Sequence, residues 1–265
     1  MRLIWKVVGL SLALAGRAEA LVSTPALEPD QTEQGGSPPA DDAHCTTCDG
    51  VRLLWRGEYD RAMHVFQLRA AAGDPAATNN IGYMYEEGLG VDIDYDRARQ
   101  YYAKAIKAGG GGGMSSLGWM YQQGHGVAVD YNQARRYYAM AKDAGDPVGA
   151  TLLGVMYEHG EGVPIDYGQA MSLYHEAIVD GGDPGAMEQI GFMLQHGLGG
   201  PPNPKEAWCW YMWAEANGQS DATTHLAELT VAGQQPVRDC SVLNKWPVKV
   251  RRQATASGAP APRQP

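Results

Sequence analysis

Residues 148–184 read VGATLLGVMYEHGEGVPIDYGQAMSLYHEAIVDGGDP. Two apolar-rich stretches lie on either side of Gly160-Glu161-Gly162-Val163. The first holds Leu153-Gly154-Val155-Met156-Tyr157, and the second holds Ala170, Leu173-Tyr174 and Ala177. Spacings of three and four place such residues on one helical face. Glycine tolerates the left-handed conformation that ends helices, so Gly160 and Gly162 read as the turn. Asp166 then stands at an N-cap position, and Asp183-Pro184 opens a further helix in the same way. The stretch predicts two antiparallel helices joined by a tight link.

The pattern recurs along the chain. Gly82, Gly118, Gly154 and Gly191 are separated by 36, 36 and 37 residues, and Ala98, Ala134, Ala170 and Ala207 keep the same intervals. Gly88, Gly124, Gly160 and Gly197 do so too, and Tyr59 precedes Tyr95, Tyr131 and Tyr167 by 36, marking a degenerate unit ahead of the full ones. Columns that hold one period identify an array of structural repeats rather than a compositional bias. A glycine inside a helix costs about 1 kcal/mol relative to alanine, so its recurrence predicts close approach of the partner helix. Such pairs cannot bury their apolar faces singly; stacking supplies the core and terminal units cap it.

Copy by copy, Leu-Gly-x-Met-Tyr, Gly-x-Gly-Val, Asp-Tyr-x-x-Ala and Tyr-x-x-Ala with a closing glycine resemble the Sel-1-like subfamily of tetratricopeptide repeats. The resemblance covers 76 to about 218 well, with a partial unit at 51–75. It implies an all-α, right-handed solenoid of antiparallel helix pairs whose first helices line the concave side, and it implies protein–protein contacts as the function. The chain then divides into a signal peptide (1–20), a disordered leader (21–41), a degenerate first unit (42–75) and four repeats (76–111, 112–147, 148–184 and 185–220). A capping helix and segment (221–250) and a disordered tail (251–265) complete it.

Two departures stand out. Gly199-Gly200-Pro201-Pro202-Asn203-Pro204 replaces the usual link in the fourth repeat and predicts a stiffer turn. Gly109 to Gly113 replaces Asp-Pro between the first and second repeats. Each glycine disfavours helix by about 1 kcal/mol, so the next helix is expected to start late, near Met114, with a weak joint or hinge before it.

The ends point to export. Arg2 and Lys6, an apolar run from Val7 to Ala15 and Ala18-Glu19-Ala20 read as a secretory signal cleaved near Ala20. The run is too short for a membrane span, which needs about 20 apolar residues, so a periplasmic or secreted chain is expected. Of the formal charge of -9, residues 1–20 contribute +2 and 238–265 contribute +5, leaving -16 on 21–237. That acidity excludes nucleic acid as a partner. In an oxidising compartment the four cysteines tend to pair in one of three connectivities; Cys45–Cys48 and Cys209–Cys240 is favoured. Cys45-x-x-Cys48 lacks the βαβ context of a redox motif and the following histidine of a haem site.

Little in the sequence points to catalysis. The Gly-x-Gly turns follow no strand, and neither a phosphate-binding Gly-x-x-x-x-Gly-Lys-[Ser/Thr] nor a Ser-x-x-Lys nucleophile motif occurs. Cysteine-rich Sel-1-like relatives read as β-lactamases carry a cysteine pair per repeat, which this chain does not. His159 and His196 share a column with Glu87 and Gln123, and His125 lies in its turn, a set too thin for a metal site. No cofactor and no enzymatic activity are expected. The residue after each repeated glycine varies while staying large and apolar: Tyr83, Trp119, Val155 and Phe192. Four places back stand Asn79, Ser115, Thr151 and Glu188, on the same face. This column is read as a polar-rimmed aromatic stripe that binds a protein partner in the cell envelope. Two alternatives stay open: packing between neighbouring first helices, and binding of carbohydrate or peptidoglycan fragments.

Overall fold

The computed structural model describes residues 47–234 together with Val237, Cys240, Ser241 and Leu243. All the regular structure among them is helical. The order is α1 (Thr47–Trp55), α2 (Tyr59–Ala71), α3 (Pro75–Glu87), α4 (Tyr95–Lys107), α5 (Gly112–Gln123), α6 (Tyr131–Asp143), α7 (Pro147–His159), α8 (Tyr167–Gly181), α9 (Pro184–His196), α10 (Pro204–Ala216) and α11 (Asp221–Val231). Each pair packs internally, its second helix packs on the next pair's first, and α3, α5, α7 and α9 also touch in succession. The first helices therefore form the inner layer of a stack. The expected signal peptide, leader and tail, with Cys45 and Trp246, lie outside the described residues, as does the Cys48 side chain.

Local chemistry sets the helix ends. Asp74, Asp146 and Asp183 each accept a hydrogen bond from a backbone N–H in the first turn they cap, and proline follows in the first turn. Gly88, Gly124, Gly160 and Gly197 close the first helices in the left-handed conformation, as expected. The link then returns on itself: the N–H groups of Asp94, Asp130 and Asp166 donate to the carbonyls of Tyr85, Tyr121 and Tyr157 at 2.9 Å. In the fourth repeat Asn203 makes the same bond to Leu194 at 2.7 Å, so the proline-rich link follows the same path.

The glycine inside each first helix does what its recurrence implied. A Cβ on Gly154 would lie 2.5 Å from Cε1 of Tyr174, and Gly82, Gly118 and Gly191 face Tyr102, Tyr138 and Tyr211 in the same way. Only a bare backbone lets the tyrosine ring of the second helix settle there. In the degenerate unit, Phe66 occupies the tyrosine column and is fully buried.

The glycine run behaves differently from expectation. Helix α5 begins at Gly112, two residues before Met114, and Gly111 is already α-helical in φ and ψ. A Cβ on Gly113 would lie 2.7 Å from the Tyr102 carbonyl oxygen, and one on Gly111 would lie 2.7 Å from Asp146 Cβ. Contacts with both neighbouring repeats hold the glycines in helical register, overriding their low propensity. No side chain caps this helix.

At the far end, Cys209 and Cys240 lie together, with Cα atoms 5.5 Å and sulfurs 2.07 Å apart. Leu243 is fully buried in the last core cluster, beside Cys209, Trp210 and Leu229. Among the described residues no helix is long and apolar enough to cross a membrane.

Candidate interaction surface

The inner layer is where the aromatic column was expected to face a partner. Its middle does not. Trp119 and Val155 are each only 4% exposed. Trp119 belongs to a cluster with Val148, Leu152 and Met156 of the next first helix, and Val155 to one with Met187 and Ile190. These side chains fill the joint between successive first helices. Tyr83 and Phe192, at the two ends of the column, are half-buried.

The four polar residues expected to rim the stripe are inside it as well. Asn79, Ser115, Thr151 and Glu188 are all 5% exposed or less. Ser115 Oγ donates to Asp146 Oδ2 at 2.7 Å, and Thr151 Oγ1 donates to Asp183 Oδ2 at 2.5 Å. Glu188 accepts from Gln219 Nε2 in the equivalent place. In the second and third repeats the first helix thus grips the N-cap aspartate of the following one, and in the fourth it grips Gln219, just ahead of the N-cap Ser220. At the glycine run that acceptor is missing, because Gly110 stands in the column, and Asn79 Oδ1 accepts instead from Ser116 Oγ at 3.1 Å. This correction has a simple cause. A buried polar side chain needs a partner, and the neighbouring repeat supplies it.

A second ladder escaped the sequence reading. Tyr174 Oη donates to Glu158 at 2.6 Å and Tyr211 Oη to Gln195 at 2.8 Å; Tyr102 and Tyr138 pair with Glu86 and Gln122. Glu86 and Gln122 also reach the following turn, where His125 Nδ1 lies 2.8 Å from Glu86 and Glu161 accepts from Gln122. Leu198 breaks that second link for Glu158. The signal was present as Glu or Gln four places after each glycine, opposite an unvarying tyrosine. Burial pushes the Glu158 carboxyl above the ordinary range, against the pull of the Tyr174 hydroxyl.

The solvent-facing end of the inner layer is the column Glu87, Gln123, His159 and His196, of which the last three are exposed. Burial, helped by the neighbouring Glu86, pushes the Glu87 carboxyl up to about 7, with His125 opposing. His159 and His196 turn Nδ1 to the carbonyls of Val155 and Phe192, at 3.1 and 3.0 Å. Among the described residues no group of three or more His, Cys, Asp or Glu is gathered to hold a metal ion.

The C-terminal cap adds a histidine that sequence reasoning passed over. His225 of α11 places Nε2 3.3 Å from Glu188 and Nδ1 3.2 Å from Glu228, and its ring stacks on Tyr211 with centroids 4.8 Å apart. The hydrogen bond to Glu188 holds the imidazole above its ordinary pKa against the desolvation of its site, with Glu228 adding to the effect. A histidine raised on folding contributes stability that is complete below about pH 6.5 and is lost as pH rises through the folded value. His225→Gln is therefore expected to flatten the dependence of stability on pH above about 6.5. Urea unfolding of both proteins at pH 5.5 and pH 8.5 reads this directly. Equal pH dependence in the two would show that α11 is not held by the protonated ring.

The Sel1 repeat model matches residues 75–110, 113–146, 147–178 and 184–211. The crystal structure of a Sel1 repeat protein from Oxalobacter formigenes is similar at 30% identity and TM-score 0.55, over 80% of this chain and 85% of that one. A protective antigen present in uropathogenic Escherichia coli strains, displaying an SLR fold, is 30% identical with TM-score 0.47 over 79% of this chain. This chain spans 44% of that antigen's length. Among curated proteins none matches.

Proposed function

This chain belongs to the Sel1 repeat family, and from that premise we propose that it is an exported adaptor that docks a protein partner of the cell envelope on its inner helical layer. Sel1 repeat proteins are typically protein-interaction scaffolds, generally without catalytic activity. The observation that carries the docking face is the difference between the ends of the aromatic column and its middle. Trp119 and Val155 are consumed by packing, whereas Tyr83 and Phe192 are only half-buried, in the same inner layer as the Glu87, Gln123, His159 and His196 column. Half-exposed aromatics next to polar groups are the composition of interface anchors.

Export rests on the N-terminal signal pattern, and it accords with the proximity of Cys209 and Cys240, which an oxidising compartment turns into a covalent tie. The test is affinity capture from cell envelopes with wild type and a Tyr83→Ser, Phe192→Ser variant, both checked for helical circular dichroism. The expected result is one envelope protein recovered by wild type and reduced at least about tenfold by the variant, as loss of anchor residues implies. Equal recovery by both would remove the inner layer as the docking face. Recovery of the chain itself from the cytoplasmic fraction would remove export.

A further inference from the structure

The outer side of the stack carries a cleft between the second and third repeats. It lies between α6 and α8, the second helices of adjacent repeats, and is floored by α7; its volume is about 420 Å³. Leu153, Tyr157 and Leu173 form the apolar floor, and Arg135, Arg136 and Lys142 stand on the α6 wall.

Comparing columns shows why it opens here. In the first repeat Tyr85 is stacked on Tyr101 at 5.7 Å and lies under the Arg97 guanidinium at 5.3 Å. In the second, Tyr121 stacks on Tyr137 at 5.6 Å. In the third, Leu173 replaces the stacking ring and Gln169 replaces the arginine, leaving one side of Tyr157 without a planar partner. The wall changes too. Arg99 is held by Asp96 and donates to the Gly126 carbonyl at 2.7 Å. The acid's counterpart beside Arg135 is the amide of Asn132, 3.4 Å from Arg135 Nη2. Arg136 is exposed, with no hydrogen-bond or ion-pair partner among the described residues. Lys142 is occupied by Glu176 at 2.9 Å and Asp143 at 3.6 Å.

We propose that this cleft binds an acidic peptide segment of a partner protein, with its carboxylates on Arg135 and Arg136 and an apolar side chain seated against the half-buried Tyr157. Charge selects the occupant. Arg135, whose counterpart acid is replaced by Asn132, and the exposed Arg136 share one wall of a body that is otherwise strongly acidic, while the lining acid Glu176 is occupied by Lys142; planar guanidinium groups match carboxylates in a bidentate manner. A bare inorganic anion would leave the half-buried Tyr157 uncovered, whereas an apolar side chain of the peptide covers it. This site is on the opposite layer from the inner docking face and does not depend on it.

The test uses the full mature chain and a fluorescein-labelled octapeptide alternating Leu and Glu, read by fluorescence anisotropy, beside the matching Leu–Gln peptide. Saturable binding of the Leu–Glu peptide that weakens with added salt is expected. Roughly tenfold or greater loss is expected with Arg135→Gln plus Arg136→Gln, and with the Leu–Gln peptide, as removal of charge-assisted hydrogen bonds implies. Leu173→Tyr, which restores the ring of the other repeats, is expected to cause a similar loss without touching the charges. Failure of the Leu–Glu peptide to bind, or equal affinity across peptides and folded variants, overturns the proposal. If Leu173→Tyr does not retain the wild-type circular dichroism, the arginine variant decides.

Discussion

Trp119→Ala is expected to lower the free energy of unfolding by about 3–5 kcal/mol, the range for truncating a buried tryptophan. The indole is 4% exposed and packs among Val148, Leu152, Leu153 and Met156, so its removal leaves a cavity lined by both repeats that meet there. In a stack held by nearest-neighbour contacts, that loss falls on the coupling between the second and third repeats. Phe192→Ala gives the contrast. Phe192 is half-buried, and its ring neighbours are His196 at 4.2 Å and His225 at 6.0 Å rather than a closed core. Its truncation is expected to cost less than about 1.5 kcal/mol, as partial burial implies. Urea unfolding followed by circular dichroism measures both. A cost below about 1 kcal/mol at Trp119 would return it to the surface and reinstate the continuous aromatic stripe.

Tyr174→Phe carries the second large effect. The hydroxyl lies 2.6 Å from Glu158, a carboxylate only 4% exposed whose column lacks the turn residue that supports Glu86 and Gln122. Removing that donor leaves a buried charge without its hydrogen bond, at a cost of about 3 kcal/mol near neutral pH. Tyr211→Phe removes the same hydroxyl opposite the neutral Gln195 and is expected to cost about 1 kcal/mol. The sign of the pH effect follows from Glu158. Its folded pKa is raised by burial, so the folded state holds its proton more tightly than the unfolded chain does. Stability from this group falls as pH rises from the ordinary carboxylate range through the raised value. Without the Tyr174 hydroxyl the folded value climbs further, so the variant's deficit grows between pH 5 and pH 8. A deficit that is equal at both pH values would mean that Glu158 does not feel the lost hydroxyl.

These two effects also mark the boundary between what a repeat pattern contains and what stacking adds. Helix starts at Asp74-Pro75, Asp146-Pro147 and Asp183-Pro184, the left-handed turn at Gly88 and its copies, and the glycine that receives a tyrosine ring were all legible. Each is decided by φ and ψ preferences or capping within a few residues, and each is repeated at least three times.

The start of α5 was not legible, because helix propensity describes an isolated segment. Gly111 and Gly113 are held by contacts to Asp146 and Tyr102 in other helices. The fate of the Tyr83, Trp119, Val155 and Phe192 column was misread for a related reason. Period tells which residues are equivalent, but not what the neighbouring helix offers each of them: Trp119 meets Val148, Leu152 and Met156, and Val155 meets Met187 and Ile190. Ser115 and Asp146 are ordinary helix-end residues in the sequence, and only the offset between repeats brings them to 2.7 Å. The cleft beside Tyr157 depends on the same offset, since Leu173 and Asn132 are unremarkable substitutions until α6 and α8 are placed side by side. The sequence by itself determined the repeat, its two helices, the ends set by capping aspartates and turn glycines, and the family. Tertiary structure alone decided which side chains are spent on the neighbouring repeat and which are left for a partner, because burial is a property of the stack and not of any one unit.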